Sequence, residues 1–312
     1  MRVLVTGGAG FIGSNLTRSL VRAGHEVVVM DNLVALHSLA LLGDARAGVD
    51  FVHGDIRMPE DFERLPPGPF DRVYHLAASF ANELSMEHPV LDQRSNVDGT
   101  MHALEFARRA GCGLFVYAAS SSSYGDTEPP FCEDAPIRPH TPYAMSKYAG
   151  EMAVCASGLP FAVYRLFNVY GPGDPPGRYR NAIPNMFRSL DAPDGVLRVF
   201  GREATRDFTF VDDVVAILED APRSAGHVVN LGTGVETPVL DLALRIAALM
   251  GAGHERLAVE PLRSWDRVLR RCADVTRLRA LHDRAPATPL EEGLARTAGW
   301  LRGAGYLSGG AP

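Results

Sequence analysis

A glycine-rich turn between the first strand-like run and the first helix-like run constrains this sequence more than any other feature. Residues 6–13 read TGGAGFIG, which fits GxGxxG at Gly8, Gly10 and Gly13 and also GxxGxxG at Gly7, Gly10 and Gly13. Glycines at this spacing allow a tight turn, let the backbone approach a pyrophosphate, and let the helix pack close to the strand. The motif therefore predicts that a dinucleotide binds at the start of the first helix.

The first half of the chain alternates short apolar runs with amphipathic runs, which is typical of parallel sheets covered by helices. Strands are predicted at Arg2–Thr6, Glu26–Asp31, Asp50–Asp55, Arg72–Ala77, Leu114–Ala119 and Phe161–Leu166. Helices are predicted at Ile12–Ala23, Pro89–Ala110 and Tyr143–Ser157. With right-handed crossovers, this order gives an α/β fold with a doubly wound parallel sheet of the Rossmann type.

The sequence changes character after residue 166, where Gly171–Arg180 is a loop rich in glycine and proline. Short strands are predicted at Leu197–Phe200, Phe208–Val211 and Val228–Leu231, and helices at Asn181–Leu190, Val239–Met250 and Leu290–Arg302. We expect residues 1–167, with returning segments near 209–233, to form the dinucleotide-binding domain. Residues 168–208 and 234–312 would form a smaller, partly interleaved C-terminal α/β domain that binds the substrate.

Composition excludes several classes of protein. With a net charge of −6, the sequence does not indicate the positively charged surface of a nucleic-acid-binding protein. No apolar run reaches the ~18 residues of a membrane span. The four cysteines form no CxxC pair and the histidines form no HExxH motif, so no metal site is expected. Because a predicted strand already begins at Arg2, we do not expect a cleaved signal peptide. The protein is therefore predicted to be cytoplasmic, with reduced thiols.

Two acidic residues at predicted strand ends bear on the dinucleotide. Asp31 closes the second strand, where a carboxylate can accept hydrogen bonds from both ribose hydroxyls and would repel a 2′-phosphate. The cofactor is therefore predicted to be NAD rather than NADP. Asp55, followed by Ile56, closes the third strand, and two interpretations stay open: contact with the adenine, or an ordinary cap of the next helix.

A second pattern indicates proton transfer. Tyr143 and Lys147 are four residues apart in a predicted helix, so both lie on one face. A tyrosine with its usual pKa of ~10 is a poor base at neutral pH, and a neighbouring ammonium favours its phenolate. Ser120 closes the predicted fifth strand, where its hydroxyl could hydrogen-bond the substrate oxygen that Tyr143 deprotonates. Taken alone, this spacing is also typical of an exposed helix face.

Together these features resemble the extended short-chain dehydrogenase/reductase family, in its branch of NAD-dependent nucleotide-sugar epimerases and dehydratases similar to UDP-glucose 4-epimerase. The other matching segments are HLAA (75–78), Asn96 with Gly99-Thr100, Tyr124-Gly125, RLFNVYGP (165–172), RNAIP (180–184), RDFTFVDDV (206–214), NLGTG (230–234), and the closing Ala273-Asp274, Leu290–Leu294 and Trp300. The resemblance implies a nucleotide-diphosphate sugar as substrate. It also implies a homodimer through the helices around Pro89–Ala110 and Tyr143–Ser157.

The resemblance further implies roles for individual residues. Ser120, Tyr143 and Lys147 would be the catalytic triad. The cofactor would contact Gly7, Gly10, Phe11, Ile12, Gly13, Asp31, Asn32, Asp55, Ile56, Leu76, Ala77, Ala78, Asn96, Tyr143, Lys147 and Phe167. The substrate would contact Ser79, Ser121, Ser122, Asn168, Asn181, Arg206 and Arg263, with Arg206 on the diphosphate. The segment RSWD (263–266) departs from the RPGD-like pattern of the family, so Arg263 is either a ligand or a solvated surface charge.

Residues 121–123 (SSS) bear on which reaction of the family to expect. In the resembling enzymes, 4,6-dehydratases carry an Asp-Glu pair in this segment and uronate decarboxylases carry a Glu. Serine is neither a good acid nor a good base, so the segment favours 4-epimerisation through a transient 4-keto sugar. UDP-hexose and UDP-uronate both remain open as substrates. The alternatives are a 4-keto reductase or dehydratase, and a non-catalytic NAD-binding protein of the same fold.

Overall fold

The computed structural model describes residues 1–35 and 39–308, and its centre is a seven-stranded parallel sheet. The strands are β1 (Arg2–Thr6), β2 (Glu26–Asp31), β3 (Val49–His53), β4 (Arg72–His75), β5 (Phe115–Ser120), β6 (Phe161–Leu166), β7 (Asn168–Tyr170), β8 (Leu197–Phe200), β9 (Thr205–Arg206), β10 (Phe208–Phe210), β11 (Val228–Leu231), β12 (Thr237–Pro238) and β13 (Leu257–Glu260). The order across the main sheet is β11-β6-β5-β4-β1-β2-β3. The direction of winding reverses between β4 and β1, and such a switch point opens a crevice at the carboxyl edge.

Helices cover both faces of this sheet. They are α1 (Phe11–Arg22), α2 (Pro59–Phe62), α3 (Asn82–Glu87), α4 (Pro89–Gln93), α5 (Gly99–Arg109), α6 (Pro142–Cys155), α7 (Ala182–Asp191), α8 (Val211–Glu219), α9 (Val239–Leu249), α10 (Thr276–Leu281) and α11 (Leu290–Gly303). Short 3-10 segments lie at Ala40–Gly48, Ser121–Tyr124, Ala221–Ser224 and His254–Arg256, and a π-helical turn lies at Arg94–Asp98.

Alternation along the strands explains why helices pack on both faces. Val3 and Val5 of β1 point into the core that contains Leu16 of α1, whereas Leu4 points into the opposite core with Leu104 of α5. Successive side chains of a strand face opposite sides, so an apolar run in β1 needs cover on each side. The predicted doubly wound α/β fold is confirmed.

Several predicted bounds were wrong by one or two residues, and one predicted helix contains a π-helical turn that its sequence pattern did not indicate. The predicted helix Pro89–Ala110 is divided into α4, the π-helical turn and α5. The predicted third strand ends at His53 rather than Asp55, because Asp55 already bonds its own side chain to the backbone N–H of Arg57 in a turn. Such local side-chain bonds compete with strand pairing.

The later part of the chain forms a third core beside the sheet. Its buried apolar side chains come from α7, α9, α11 and strand β8, and β8 pairs in parallel with β13. Between these elements the chain returns to the main sheet, where β11 pairs in parallel with β6. Helix α8, just before that return, packs against α1. The chain is therefore interleaved between two layers of structure.

A buried ion pair joins the sheet to helix α6. Arg165 of β6 donates from Nε to Glu151 Oε2 at 3.0 Å and from Nη2 to Glu151 Oε1 at 2.5 Å. Its Nη1 also donates to the hydroxyl of Tyr124 at 2.8 Å, and that hydroxyl donates to Asn230 of β11. Both charged side chains are almost fully buried, so each depends on the other for compensation.

Removal of one partner of this buried ion pair should strongly destabilise the fold. We expect Glu151→Gln to lower the free energy of unfolding by about 3–5 kcal/mol, because it leaves the Arg165 guanidinium buried without its carboxylate. Urea unfolding followed by circular dichroism measures the change.

The matched control is Asp283→Asn, which removes an ion pair with Arg223 in which the aspartate side chain is 82% exposed. That loss should stay below about 1 kcal/mol, since water screens exposed pairs. If the two variants lose similar amounts of stability, the buried pair does not hold α6 to the sheet.

Candidate active site

The glycine turn has no room for side chains. Gly7 has a φ of +72°, and a Cβ there would lie 2.7 Å from the backbone N of Ala77. A Cβ on Gly13 would lie 2.0 Å from the carbonyl oxygen of Gly7. The turn at the carboxyl end of β1 therefore has to be glycine at both positions, as the motif predicts, and the backbone itself forms the surface.

Helix α1 begins directly after this turn without a side-chain cap. Its N-cap residue is Gly10, and the first turn contains no acidic residue. Backbone N–H groups at such an end attract an anion, aided by the helix dipole. The turn and the helix start thus fit a bound pyrophosphate.

Asp31 lies at the end of β2 beside the glycine turn, as expected. Its Oδ2 accepts a hydrogen bond from the N–H of Ala9 at 3.0 Å, and its Oδ1 accepts one from Leu33 at 2.7 Å. Burial raises the pKa of Asp31, while these two backbone donors lower it. Each carboxylate oxygen keeps a lone pair that could accept a hydrogen bond from a ribose hydroxyl.

Asp55 lies two residues beyond β3 and is held by an arginine that sequence analysis missed. Arg57 donates from Nε to Asp55 Oδ1 at 2.9 Å, and Asn32 donates to Oδ2 at the same distance. The Arg57 hydrogen bond lowers the pKa of Asp55 to about 2. Asp55 thus orients Asn32, another predicted cofactor residue, and does not cap α2, whose N-cap is Met58 without a side-chain cap.

The other predicted cofactor residues lie along the same edge of the sheet. Leu76, Ala77 and Ala78 follow β4 and are partly accessible, as are Phe11 and Ile12 at the start of α1 and Ser79, the predicted substrate residue that comes next in the chain. Ile56, Asn96 and Phe167 are buried. The Phe167 ring packs against Phe131, with 6.3 Å between the ring centres, and therefore lies in the core.

Tyr143 is in the first turn of α6, and the local sequence explains why the helix starts there. Thr141 is the N-cap, and its Oγ1 accepts a hydrogen bond from the N–H of Ala144 at 3.2 Å. Pro142 occupies the first helical position, where no N–H is needed. A side-chain hydrogen bond joins Tyr143 to Ser120 at the end of β5. The structure therefore brings together the predicted serine and tyrosine.

The surroundings of the phenol act in opposite directions on its pKa. Burial is the largest influence and raises the pKa of Tyr143, while Ser120 and the charge of Arg271 lower it. The net direction is opposite to the one expected from Lys147 alone, because desolvation of the phenolate outweighs the nearby charges. A phenolate at neutral pH thus needs further positive charge in the site.

Lys147 is one turn further along α6 and is only 3% exposed. Its Nζ lies 4.2 Å from the centre of the Tyr117 ring, which stabilises a cation. Burial nevertheless lowers the pKa of Lys147 to about 7. The helix can approach Tyr117 because residue 150 is glycine: a Cβ there would lie 2.3 Å from the Tyr117 hydroxyl.

Asp92 of α4 is a buried acid that sequence analysis missed. Ser146 Oγ donates to its Oδ2, and Asn96 Nδ2 donates to its Oδ1 at 3.2 Å. Its charge raises the pKa of Lys147. Asp92 therefore positions the residue next to Lys147 and supplies part of the negative charge that keeps the lysine protonated.

The predicted substrate residues divide into two groups. Ser121 and Ser122 lie in the buried 3-10 turn directly after Ser120, whose Oγ accepts the N–H of Ser122 at 3.2 Å. Asn168, Asn181, Arg206 and Arg263 come from the later part of the chain. Asn168 starts β7, and Asn181 donates to Asp174 at 2.8 Å.

The two predicted arginines have different surroundings. Arg206 is held by Asp266 at 2.9 Å, and its pKa is lowered by burial. Arg263 is 44% exposed, lies over the ring of Phe200 at 4.4 Å, and is 3.9 Å from Glu83 of α3. Arg263 thus joins the edge of the later core to α3 near the surface.

Arg271 is a further cation in this region that no motif singled out. Its Nη1 donates to Ser122 Oγ at 3.2 Å. The pair Arg270-Arg271 precedes the matched Ala273-Asp274, and only the fold shows which arginine turns inward: Arg270 is bound to Glu236 at the surface. Sequence spacing carries no signal that separates the two.

Two classes of feature are absent from the described part of the chain. Residues 1–35 and 39–308 contain no group of three or more His, Cys, Asp or Glu side chains placed to hold a metal ion. Within the same ranges, no helix has the length and apolar character needed to cross a membrane.

Comparisons with known proteins match this geometry. A model of the NAD dependent epimerase/dehydratase family matches residues 3–232. A UDP-glucose 4-epimerase of Mycolicibacterium smegmatis is 36% identical, with 97% of this chain and 99% of the relative covered. A UDP-N-acetyl-alpha-D-glucosaminuronate decarboxylase of Bacillus cytotoxicus is 30% identical, with 96% and 98% covered. The crystal structure of Thermus thermophilus UDP-glucose 4-epimerase in complex with NAD is 31% identical, with a TM-score of 0.86 and 97% and 100% covered.

The relatives carry the names of different reactions at similar identity, and all of these names describe enzymes that modify nucleotide sugars. The predicted cofactor, NAD, is confirmed by the NAD dependence of the matched family. The glycine turn, the uncapped helix start and Asp31 are a set of groups that fits it. The resemblance inferred from the motifs is confirmed as well: this chain belongs to the NAD-dependent epimerase/dehydratase family.

Proposed function

We propose that the protein is a nucleotide-sugar 4-epimerase that acts through a transient 4-keto sugar on a UDP-hexose or UDP-uronate. One observation carries the proposal: Ser120 and Tyr143 meet at the sheet edge, and the adjoining turn at 121–123 contains only serine. A 4-epimerisation needs one acid–base group at the 4-hydroxyl, whereas elimination of water needs two more at C5 and C6. The similarity to named 4-epimerases supports the same conclusion.

We propose distinct tasks for the chain's own residues. Tyr143 takes the proton of the 4-hydroxyl and later returns it, and Ser120 donates a hydrogen bond to the same oxygen. Lys147 holds positive charge near the phenol, with Asp92 supporting its protonated form. The glycine turn, Asp31 and Asn32 would hold NAD. When bound, NAD supplies the reversible oxidation at C4, and its oxidised ring carries positive charge that favours the phenolate.

The proposed domain division follows from the same assignment. Residues 1–167, with segments near 209–233, would bind NAD, and residues 168–208 and 234–312 would bind the nucleotide sugar. The pairing of β11 with β6 supports the returning segment. In this scheme Asn168, Asn181 and Arg206 contact the nucleotide, with Arg206 on the diphosphate because a guanidinium suits phosphate oxygens.

The reaction can be tested by incubating the purified protein with UDP-, dTDP- and GDP-sugars in deuterated water and following products by NMR. We expect the 4-epimer of one sugar, with no solvent deuterium at any carbon, since the proton on oxygen is the only one exchanged. Deuterium at C3, C5 or C6 would show elimination or enolisation instead. Steady consumption of NADH or NADPH would show a reductase, and binding without turnover a non-catalytic protein.

The role of the phenol can be tested with Tyr143→Phe. We expect kcat to fall by about 10²–10⁴-fold, the usual contribution of a general acid–base group, with unchanged thermal stability. The control is Tyr148→Phe, a partly buried tyrosine in the same helix that the mechanism does not use. Full activity of Tyr143→Phe would remove this residue from the reaction.

We also propose that the protein is a homodimer in which α5 and α6 pair with their copies in a partner subunit. The outward face of α6 carries Met145, Ala149 and Met152, all exposed, and Met101 is exposed on α5. Met145 and Met152 are 58% and 50% exposed, which is a large apolar area for a free surface. A self-complementary contact of two such helices would cover it.

Light scattering coupled to gel filtration tests the dimer. The native protein should have twice the chain mass of 33.7 kDa, and the double variant Met101→Glu/Met152→Glu should shift to one chain mass, because paired carboxylates repel. Leu249→Glu, an exposed leucine at the end of α9 in the later part of the chain, serves as the control and should stay dimeric. A native mass of one chain would exclude the dimer.

A further inference from the structure

Arg271 is held in a fixed position at the junction between the two parts of the site. Its backbone N–H donates to the carbonyl oxygen of Thr205 at 3.2 Å, beside Arg206 in β9. On its other side, the carbonyl oxygen of Cys272 accepts a hydrogen bond from Phe131 at 2.8 Å. The backbone is thus fixed on both sides, and Arg271 lines a small cleft together with Ser122, Thr141 and Asp266.

The hydrogen-bonding capacity of this guanidinium is mostly unused. Nη1 donates to Ser122 Oγ, and Nε is buried with no hydrogen-bond partner among the described residues. Within residues 1–35 and 39–308, no carboxylate lies within ion-pair distance of Arg271. A buried cation of this kind is costly unless an anion reaches it.

The neighbouring charges compensate Arg271 only in part. Asp266 pairs with Arg206 and raises the pKa of Arg271, but burial, which is the larger influence, together with the Arg206 charge lowers that pKa to about 10. Two guanidinium groups therefore share one carboxylate. The arrangement favours an anionic ligand. The planar fork of N–H donors on the Arg271 guanidinium matches a carboxylate in particular.

The position of Arg271 indicates which part of the substrate it would contact. Its one side-chain partner, Ser122, is two residues after Ser120, and its charge acts directly on Tyr143. In the proposed function, Ser120 and Tyr143 act on the oxygen at C4, and the substituent at C5 is on the next carbon. Arg206, which already has a carboxylate partner, is the arginine on the diphosphate side.

We propose that Arg271, with Ser122, binds a carboxylate at C5 of the sugar, so that the substrate class is nucleotide uronates rather than neutral nucleotide hexoses. This inference rests on the proposed function, because the reacting C4 is placed by Ser120 and Tyr143. Arg271 is thus a specificity-determining residue that contacts the substrate without taking part in proton transfer.

The test is titration calorimetry of the NAD-loaded protein in a Tyr143→Phe background, which prevents turnover. Three probes are compared: UDP-glucuronate, UDP-glucose and UDP. We expect UDP-glucuronate to bind at least ~10-fold more tightly than UDP-glucose. Arg271→Gln should weaken UDP-glucuronate binding by about 10- to 100-fold and change UDP binding by less than about 3-fold.

Arg270→Gln is the matched control, since this exposed neighbour is bound to Glu236, and it should leave all three affinities unchanged. If Arg271→Gln does not fold, Arg271→Lys keeps the charge but loses the fork, and should weaken only UDP-glucuronate. Equal weakening of all three probes would make Arg271 a diphosphate ligand and overturn the proposal. Equal native affinity for UDP-glucuronate and UDP-glucose would overturn it as well.

Failure of the proposed 4-epimerase reaction can be distinguished from failure of the proposed carboxylate site. If UDP-glucuronate binds selectively through Arg271 but the native enzyme releases a product other than its 4-epimer, the carboxylate site stands and the 4-epimerase proposal fails. If the native enzyme epimerises UDP-glucose and binds UDP-glucuronate no better, the reaction stands and the carboxylate site fails.

Discussion

The ion pair between Arg165 and Glu151 links the elements on which the site depends. It joins the strand β6 to α6, the helix that carries Tyr143 and Lys147. Through the hydroxyl of Tyr124 the same arginine reaches the turn that follows Ser120. Most hydrogen-bonding groups of this buried pair have partners, and such a network favours one arrangement of β6, α6 and the turn. The ion pair therefore helps to fix α6 relative to the turn that follows Ser120.

Local patterns were sufficient for the sheet and for half of the site. The glycine turn is recognisable in the sequence because only glycine fits at Gly7 and Gly13. Gly7 has a positive φ, and at both positions the neighbouring backbone leaves no space for a Cβ. Asp31 and Ser120 were placed correctly at strand ends, since apolar runs locate the carboxyl edge of a parallel sheet. Tyr143 and Lys147 share a helix face by spacing alone.

Long-range pairing determined what sequence analysis missed. Asp92 and Lys147 are separated by more than fifty residues, and nothing near Asp92 in the sequence marks it as an acid beside the active site. The same holds for Arg271, which reaches Ser122 across 149 positions of sequence. The helix predicted at Pro89–Ala110 lacked its π-helical turn because the apolar spacing there is continuous. In the structure this turn places Asn96 where it bonds to Ser79 and Ser146.

Gly150 has a consequence for how such an enzyme can change its substrate. Any side chain at this position would collide with Tyr117 and with the backbone of Asn96, so the helix that carries Tyr143 and Lys147 packs closely against β5 only because residue 150 is glycine. The segment carrying Arg271 is joined to β9 and to Phe131 by main-chain hydrogen bonds, which do not depend on the identity of its side chains. Under the proposed function, proton transfer and sugar selectivity depend on separate stretches of the chain, so a change of substrate at the Arg271 segment would leave the helix that carries Tyr143 in place.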